Sequence, residues 1–360
     1  MKIYIEEYGC TASYDDARII ECLLEKEHEI VSEFSSADVI VVQTCVVKKS
    51  TDNKIKTKLK KFQDKKLIIS GCMGESQFEE CKMLFPNASV INTFNVSKIN
   101  KVVRDLEKGK INYFVGKNKE DKLKLFKRVE KVSSLQIGQG CLSACSFCET
   151  KLAKGNLKSY KIENIVKEFK RLVSGGCKRV NITSTDNGCY GFDIGCNLVD
   201  LLKEILKVEG DYLIRIGMMN PLYLNKFLDG LIEVCKDERV FKFLHVPVQS
   251  GSDKVLKDMH RNYTVADFKR IINKFREEIP EIHISTDIIV GFPGESEAEF
   301  LESVRLVEEL NFEVLNISKF GAMPRTKAAK MKQLNNLIIK ERSRKLSEIY
   351  KNQIKDKKNL

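Results

Sequence analysis

Three cysteines, Cys141, Cys145 and Cys148, stand in the order C-x3-C-x2-C within the segment GCLSACSFC. Three thiolates inside so short a loop can converge on one metal centre, and iron–sulfur cubes are held by cysteine thiolates. A four-iron cluster needs four ligands, so this set would leave one iron open to a small molecule. The bland alternative is three core cysteines. It is disfavoured because the segment follows a predicted strand and a Gly-rich turn (Gly138, Gly140) rather than lying on a core face. A second set, Cys10, Cys45 and Cys72, is scattered in sequence, yet each member stands just past a predicted strand, in YGC, QTC and SGC. Parallel strands share a carboxyl rim, so these thiols are expected to meet on one edge of a small sheet, again as three ligands for four irons. Independently placed core cysteines remain the alternative for this second set. Cys22, Cys81, Cys177, Cys189, Cys196 and Cys235 show no spacing logic and read as small buried residues, with Cys189 singled out because it lies in a candidate cofactor loop.

The elements that must carry these residues can be read from hydrophobic periodicity. Over the first hundred residues, strands are predicted at 2–8, 38–44, 66–70 and 89–92. Helices are predicted at 13–26, 52–62, 76–84 and 96–108, and together these form a small open sheet of parallel strands. A charged stretch, 117–132, reads as a connector. From residue 133 a second alternation begins, with strands at 134–138, 179–184, 213–217, 243–248, 283–290 and 314–319. Helical stretches between them cover 162–174, 198–208, 223–235, 252–278 and 296–310, and a terminal helix follows Met331. Six consecutive βα units argue for a partial parallel barrel, with a doubly wound sheet as the rival. The predicted domains are thus 1–116, a connector 117–132, a partial barrel 133–332 and a basic C-terminal helix 333–360.

The 360 residues carry a net charge of +12, with twelve cysteines and only four histidines, so any metal chemistry must run on thiolates. The start, MKIYIEEYGC, has glutamates where a signal peptide needs an apolar stretch, and no apolar run is long enough to cross a membrane. The expected setting is a reducing one, the cytoplasm, in which cysteines read as ligands before disulfides. The basicity is concentrated: residues 48–66 hold nine lysines and two aspartates, and residues 327–360 hold eleven Lys/Arg against three acids. Each block alone reads as a solvated helix face. Two such blocks beside so many cysteines raise the case for a polyanionic partner.

The C-x3-C-x2-C loop at the head of a βα barrel resembles the radical S-adenosylmethionine (SAM) enzymes. The preceding domain with three rim cysteines resembles their methylthiotransferase branch. The stretches GCLSACSFCETKLAKGNLKSY, TSTDNGCYG, RIGMMNP, FLHVPVQSGSDKVLKDMHRNYT and STDIIVGFPGESEAEF are most similar to the archaeal and eukaryotic tRNA threonylcarbamoyladenosine methylthiotransferases, and the likeness runs from about Lys2 to Tyr350. The resemblance implies two 4Fe-4S clusters. One, on Cys141, Cys145 and Cys148, would bind SAM through its amino and carboxylate groups and split it to a 5′-deoxyadenosyl radical, chemistry that belongs to the cofactor while the protein orients it. The other, on Cys10, Cys45 and Cys72, would carry the sulfur. A methylthio group would then replace the C2 hydrogen of N6-threonylcarbamoyladenosine at position 37 of tRNA (t6A37). Alternatives are a methylthiotransferase acting on isopentenyladenosine tRNA or on a ribosomal protein. An iron–sulfur electron carrier is disfavoured because it needs no six-unit barrel.

By the same resemblance Thr185, Asp186, Arg215, Gln249, Ser250, Asp287, Val290 and Gly291, at the ends of later strands, would hold SAM, with Phe147 near its adenine. For Arg215 and Asp287 a structural ion pair is the competing assignment, and His245 reads as a satisfied barrel residue. Implied partners are the tRNA anticodon loop, a low-potential electron donor and a sulfur source, with no membrane. The family's usual C-terminal β-barrel RNA-binding domain is not expected here, so an RNA-binding protein acting in trans, or the two basic blocks, would grip the tRNA. Lys48, Lys49, Lys54, Lys58, Lys340, Arg342, Arg344 and Lys345 are the predicted phosphate contacts. Three departures from the family pattern bear on substrate fit: Ser13 where Asn is usual, Gln43-Thr44-Cys45 for Asn-Thr-Cys, and Ala322-Met323-Pro324-Arg325-Thr326-Lys327 for Pro-Arg-Pro-Gly-Thr-Pro.

Overall fold

The computed structural model describes residues 1–116 and 121–358, so residues 117–120 of the expected connector lie outside the described residues. The chain divides into two compact units. One is Met1–Leu142 with Cys148–Thr185, and the other is Ser143–Phe147 with Asp186–Leu360.

The first unit opens with β1 (Lys2–Glu7), α1 (Thr11–Leu24), β2 (Glu29–Ile30), β3 (Val39–Thr44), α2 (Lys49–Lys61) and β4 (Lys66–Gly71). It continues with α3 (Met73–Ser76), α4 (Phe78–Leu84), β5 (Ser89–Asn92), α5 (Ile99–Glu107) and β6 (Tyr113–Phe114). The sheet order is β2-β1-β3-β4-β5-β6 with every neighbouring pair parallel, the open sheet that the sequence predicts. The central β3, VIVVQT, is buried at every position, as a strand covered on both faces must be. Its cover includes Ile19, Ile20 and Leu24 of α1 and Val102, Val103 and Leu106 of α5, which close one core with Ile3, Val39, Val41, Ile68 and Ile91. The edge strands β2 and β6 are two residues each and carry no periodicity that a sequence pattern could announce. The expected helix 76–84 instead begins at Met73 and breaks at Gln77.

The same unit holds β7 (Val132–Gln136), β8 (Gly138–Gln139), α6 (Glu149–Lys154), β9 (Lys158–Ser159), α7 (Ile162–Ser174) and β10 (Arg179–Thr183). Strands β7 and β10 pair in parallel, and β8 and β9 form a short antiparallel ribbon.

The second unit runs α8 (Leu198–Leu206), β11 (Leu213–Ile216), α9 (Pro221–Leu224), α10 (Leu228–Lys236), β12 (Phe243–His245), α11 (Asp253–Asp258) and α12 (Val265–Glu278). It ends with β13 (His283–Val290), α13 (Glu297–Leu310), β14 (Val314–Lys319) and α14 (Asn336–Lys358). Strands β12, β13 and β14 pair in parallel, in that order. All six strands expected for the (βα)6 partial barrel form, each followed in the chain by its helix or helices. Capping boxes start α8 (Asn197, Asp200), α12 (Thr264, Asp267) and α13 (Ser296, Glu299). The stretch 252–278 is two helices rather than one: His260 takes a left-handed backbone (φ 57°) that ends α11, and Thr264 opens α12 afresh. Among the described residues no helix is long and apolar enough to cross a membrane.

Candidate iron–sulfur and SAM sites

Within the first unit, Cys10 lies beyond β1 at the N-cap of α1, Cys45 directly follows β3, and Cys72 directly follows β4 at the N-cap of α3. Because β1, β3 and β4 are successive neighbours in one parallel sheet, all three cysteines emerge on its carboxyl rim. A Cβ at Gly9 (φ 134°) would stand 2.6 Å from Ser13 Cβ, so the turn that leads into Cys10 requires the bare backbone. Burial pushes the Cys72 thiol up to about 12, and the charges that Cys45 and Cys10 would carry push it in the same direction. Burial likewise raises Cys45. Buried thiols of this kind are poor thiolates until a metal ion replaces their protons, and three convergent sulfurs fit an iron site better than a hard cation.

A lysine stands among them. Lys154, the last residue of α6, is 4% exposed. Burial opposes its charge, but Cys72, Cys10, Asp16 and Cys45 around it hold its pKa above the ordinary lysine range. Helix α6 begins immediately after Cys148, and its first residue, Glu149, accepts a hydrogen bond from Gln77 Nε2 at 2.9 Å. The same Gln77 amide donates to Asp52 Oδ1 at 3.0 Å. The residue after Cys148 is thus tied to the turn that follows Cys72.

A second set of buried polar groups anchors α1 just beyond Cys10. Lys122 Nζ pairs with Asp16 Oδ1 at 2.6 Å and donates to Thr93 Oγ1 at 3.0 Å, while Lys127 Nζ pairs with Asp15 Oδ1 at 2.7 Å. Gln136 of β7 donates to Asp15 at 2.9 Å and to Asp16 at 2.7 Å. Burial would raise Asp16, and Lys122 and Lys154 overcome this and hold its carboxyl below the usual range.

In the C-x3-C-x2-C loop, Cys141 and Cys148 belong to the first unit and Cys145 to the second. The Cys141 amide donates to Gly155 O at 3.3 Å, and Lys151 Nζ donates to the Cys141 carbonyl. Gly140 (φ 74°) makes this turn possible, since a Cβ there would sit 2.0 Å from Asn156 O. In the second unit, residues 143–147 are pinned at successive points. Ser143 Oγ meets Tyr223 Oη at 2.9 Å, the Cys145 sulfur accepts from Arg261 at 3.4 Å, and Ser146 Oγ donates to Asp258 O at 2.8 Å. The Phe147 ring stands edge-on to Phe292 at 6.4 Å.

The predicted SAM residues divide into two kinds. Thr185 has a buried Oγ1 without a hydrogen-bond partner, the kind of orphan a bound ligand would satisfy. Gln249 holds a left-handed backbone (φ 76°) in a bridge to Ile288. Asp186 is buried with Oδ1 accepting from Gly188 N and Asn220 N, both at 3.0 Å. Ser250 is buried against Ser303 at 3.4 Å, Val290 is a core residue, and the Gly291 amide donates to Glu295 at 2.7 Å. These last four are committed to the scaffold as much as to any ligand. Asp287 pairs with His245 Nε2 at 2.7 Å, and Arg215 stacks over the Phe243 ring at 4.6 Å. His245 is therefore satisfied, as its sequence context suggests. Of the cysteines without spacing logic, Cys22, Cys81, Cys177, Cys189 and Cys235 are buried and Cys196 is half-buried.

Residues 2–92 match the protein family UPF0004, and residues 135–307 match the Radical SAM superfamily. The chain is 42% identical to a probable threonylcarbamoyladenosine tRNA methylthiotransferase of Pyrococcus horikoshii, over 97% of this chain and 84% of that protein. It is 36% identical to the threonylcarbamoyladenosine tRNA methylthiotransferase of Homo sapiens, over 97% of this chain and 62% of the human one. It belongs to the threonylcarbamoyladenosine tRNA methylthiotransferase family. Among solved structures, a radical SAM methyltransferase from Kitasatospora setae, with cobalamin and a 4Fe-4S cluster bound, shares the fold. Its TM-score is 0.65 at 15% identity, covering 91% of this chain and 76% of that one.

The departures from the family pattern are built into the structure. Ser13 Oγ donates to Tyr8 O at 2.9 Å, Gln43 is buried with an unpartnered Oε1, and Arg325 adopts a left-handed φ of 65° beside Thr326, whose hydroxyl donates to Met323 O at 2.8 Å. Of the eight predicted phosphate contacts, Lys48, Lys54, Lys340, Arg344 and Lys345 are exposed. Lys49 pairs with Asp52 at 2.7 Å, and Lys58 reaches Glu6 at 3.5 Å while lying over the Phe62 ring. Arg342 corrects the prediction. It is buried, with its guanidinium on Glu295 Oε2 at 2.7 Å and on Glu297 at 3.3 Å, so it closes the fold instead of facing phosphate.

The residues that sequence reading missed are Lys154, Arg261 and the Asp15/Asp16 pair with Lys122 and Lys127. Lys154 lies in KLAKG, Arg261 in HRNY and Asp15 and Asp16 just past Cys10, while Lys122 and Lys127 fall in the expected connector, and none has a spacing that announces its partner.

Proposed function

We propose that this chain is a radical SAM enzyme that inserts a methylthio group at C2 of N6-threonylcarbamoyladenosine at position 37 of tRNA, acting in the cytoplasm where free thiols stay reduced. The reading rests above all on one observation: Cys10, Cys45 and Cys72 emerge from three adjacent parallel strands in a unit that also holds Cys141 and Cys148. In this reading residues 1–116 are the sulfur-bearing domain, 117–132 a connector, 133–332 the radical SAM barrel and 333–360 a basic helix. Cys10, Cys45 and Cys72 would hold one 4Fe-4S cluster, and Cys141, Cys145 and Cys148 the other, beside SAM. When bound, these groups supply one-electron cleavage of SAM and the sulfur and methyl group that replace the C2 hydrogen.

The protein's own part is placement and electrostatics. Lys154 sets a buried positive charge among the rim sulfurs and offsets the negative charge they acquire on metal binding. Gln77 bonds the segment after the Cys72 turn to Glu149, at the start of the helix that follows Cys148. Within the first unit Thr185 carries a buried hydroxyl without a partner, which a bound SAM would satisfy. Lys48, Lys54, Lys340, Arg344 and Lys345 present positive charge to the tRNA backbone, which fixes position without reading sequence. Base 37 would be turned out of its stack to reach the site. A low-potential electron donor and a sulfur source complete the reaction.

Reconstituted protein with SAM and a reductant should convert t6A37 to its 2-methylthio form, read by nucleoside mass spectrometry. Isopentenyladenosine tRNA and the ribosomal protein serve as parallel substrates. Product on either of those and none on the t6A37 tRNA rejects the assignment.

A further inference from the structure

Arg261 presents an anomaly. It lies in the break between α11 and α12, is 6% exposed, and among the described residues no carboxylate pairs with it. Its Nη2 donates to Pro247 O at 2.9 Å, its Nε to Tyr263 Oη at 2.9 Å, and its Nη1 to Cys145 Sγ at 3.4 Å. Tyr263 is fixed in turn, its hydroxyl donating to Val248 O at 2.7 Å, and the guanidinium stands 5.2 Å from its ring. Two oxygens and a sulfur therefore surround a permanent cation inside the protein. A buried charge with only neutral partners is costly, and natural folds retain one where an anion completes the pair. The group within its reach that could complete such a pair is the Cys145 sulfur, a member of the proposed ligand set.

We propose that Arg261 is the resident counter-charge of the iron–sulfur cluster on Cys141, Cys145 and Cys148, donating an N–H···S hydrogen bond to the Cys145 sulfur and raising the cluster's reduction potential. The inference rests on the assignment of that cluster. A cluster gains negative charge on reduction, so a fixed cation and a hydrogen bond to sulfur favour the reduced form. The planar fork suits the task, because one edge anchors on the Pro247 carbonyl and Tyr263 while Nη1 reaches the sulfur. Arg261 is a positioning residue. It holds a ligand and sets a potential.

The test is a redox titration of the reconstituted full-length protein by electron paramagnetic resonance, following the signal that shifts when SAM is added. In Arg261→Met the ratio of reduced to oxidised cluster at fixed solution potential should fall at least tenfold, about 59 mV for a one-electron couple. Arg261→Lys, which keeps the charge and loses the fork, should recover part of that shift. An unmoved midpoint in an Arg261→Met protein with full iron content overturns the proposal. A second measurement needs no variant: wild-type protein labelled with 15N-arginine, reduced without SAM, should show a nitrogen coupling to the cluster by pulsed resonance. Absence of that coupling also overturns it. If the Cys141→Ala/Cys145→Ala/Cys148→Ala protein keeps all its iron and the SAM-responsive signal, the cluster assignment itself has failed, a result distinct from either of the others.

Discussion

Replacing Lys122 by methionine removes the cation that faces Asp16 and leaves a carboxylate buried beside Thr93 and Gln136. Both side chains of the pair are 1% exposed, so solvent cannot stand in for the missing cation. Breaking a buried pair from one side costs about 3–5 kcal/mol. Lys154 also acts on Asp16, which places the expected loss at the lower end, about 3 kcal/mol. For a unit of this size each kcal/mol moves the midpoint by about 2–4 °C, so the transition should fall by about 6–12 °C in calorimetry at pH 7. The double variant Asp16→Leu/Lys122→Met removes both charges and should return to within about 1 kcal/mol of wild type. The pH dependence has a definite sign. Asp16 has a folded-state pKa below its unfolded value of about 3.9, so its contribution is complete above that pH and is lost as pH falls through the folded value. The gap between wild type and Lys122→Met should therefore narrow on acidification below about pH 4. A midpoint within 1–2 °C (roughly half a kcal/mol) of wild type at pH 7, or a double variant no more stable than the single one, would refute the assignment of this pair as the anchor of α1.

Three further outcomes can be measured. Anaerobic reconstitution should load about eight irons, and either triple variant, Cys10→Ala/Cys45→Ala/Cys72→Ala or Cys141→Ala/Cys145→Ala/Cys148→Ala, should keep about four; iron content unchanged by the first would remove the rim cysteines from the ligand set. Charge reversal at Lys48, Lys54, Lys340 and Arg344 should weaken tRNA binding and lower the salt slope by just under one for each phosphate no longer neutralised, with iron content intact. Arg342→Ala should behave differently, losing about 3 kcal/mol of stability through its buried partner Glu295 while the salt slope stays put.

How much of this was legible beforehand depends on how far along the chain each interaction reaches. The C-x3-C-x2-C set is local, so its spacing alone marks it as a candidate ligand set. The rim cysteines are distant in sequence, yet readable, because parallel strands end on a common edge and each cysteine follows a β-branched run. Periodicity likewise placed the six barrel strands, and capping sequences such as Thr264-x-x-Asp267 mark helix starts without tertiary help.

What only the tertiary structure decided are the pairings between charged groups far apart in sequence. A lysine in KLAKG reads as a solvated helix end until the fold buries it among Cys10, Cys45 and Cys72. Arg342 sits in a basic run that looks exposed, and packing of α14 turns this one side chain onto Glu295. His245 finds Asp287 because β12 and β13 are neighbours in register, and Arg261 finds Cys145 because a left-handed residue at His260 breaks the helix that periodicity would have run through. Hydrophobic pattern encodes which face of an element is buried. It does not encode which charge on one element will meet which charge on another, since that depends on the packing of both.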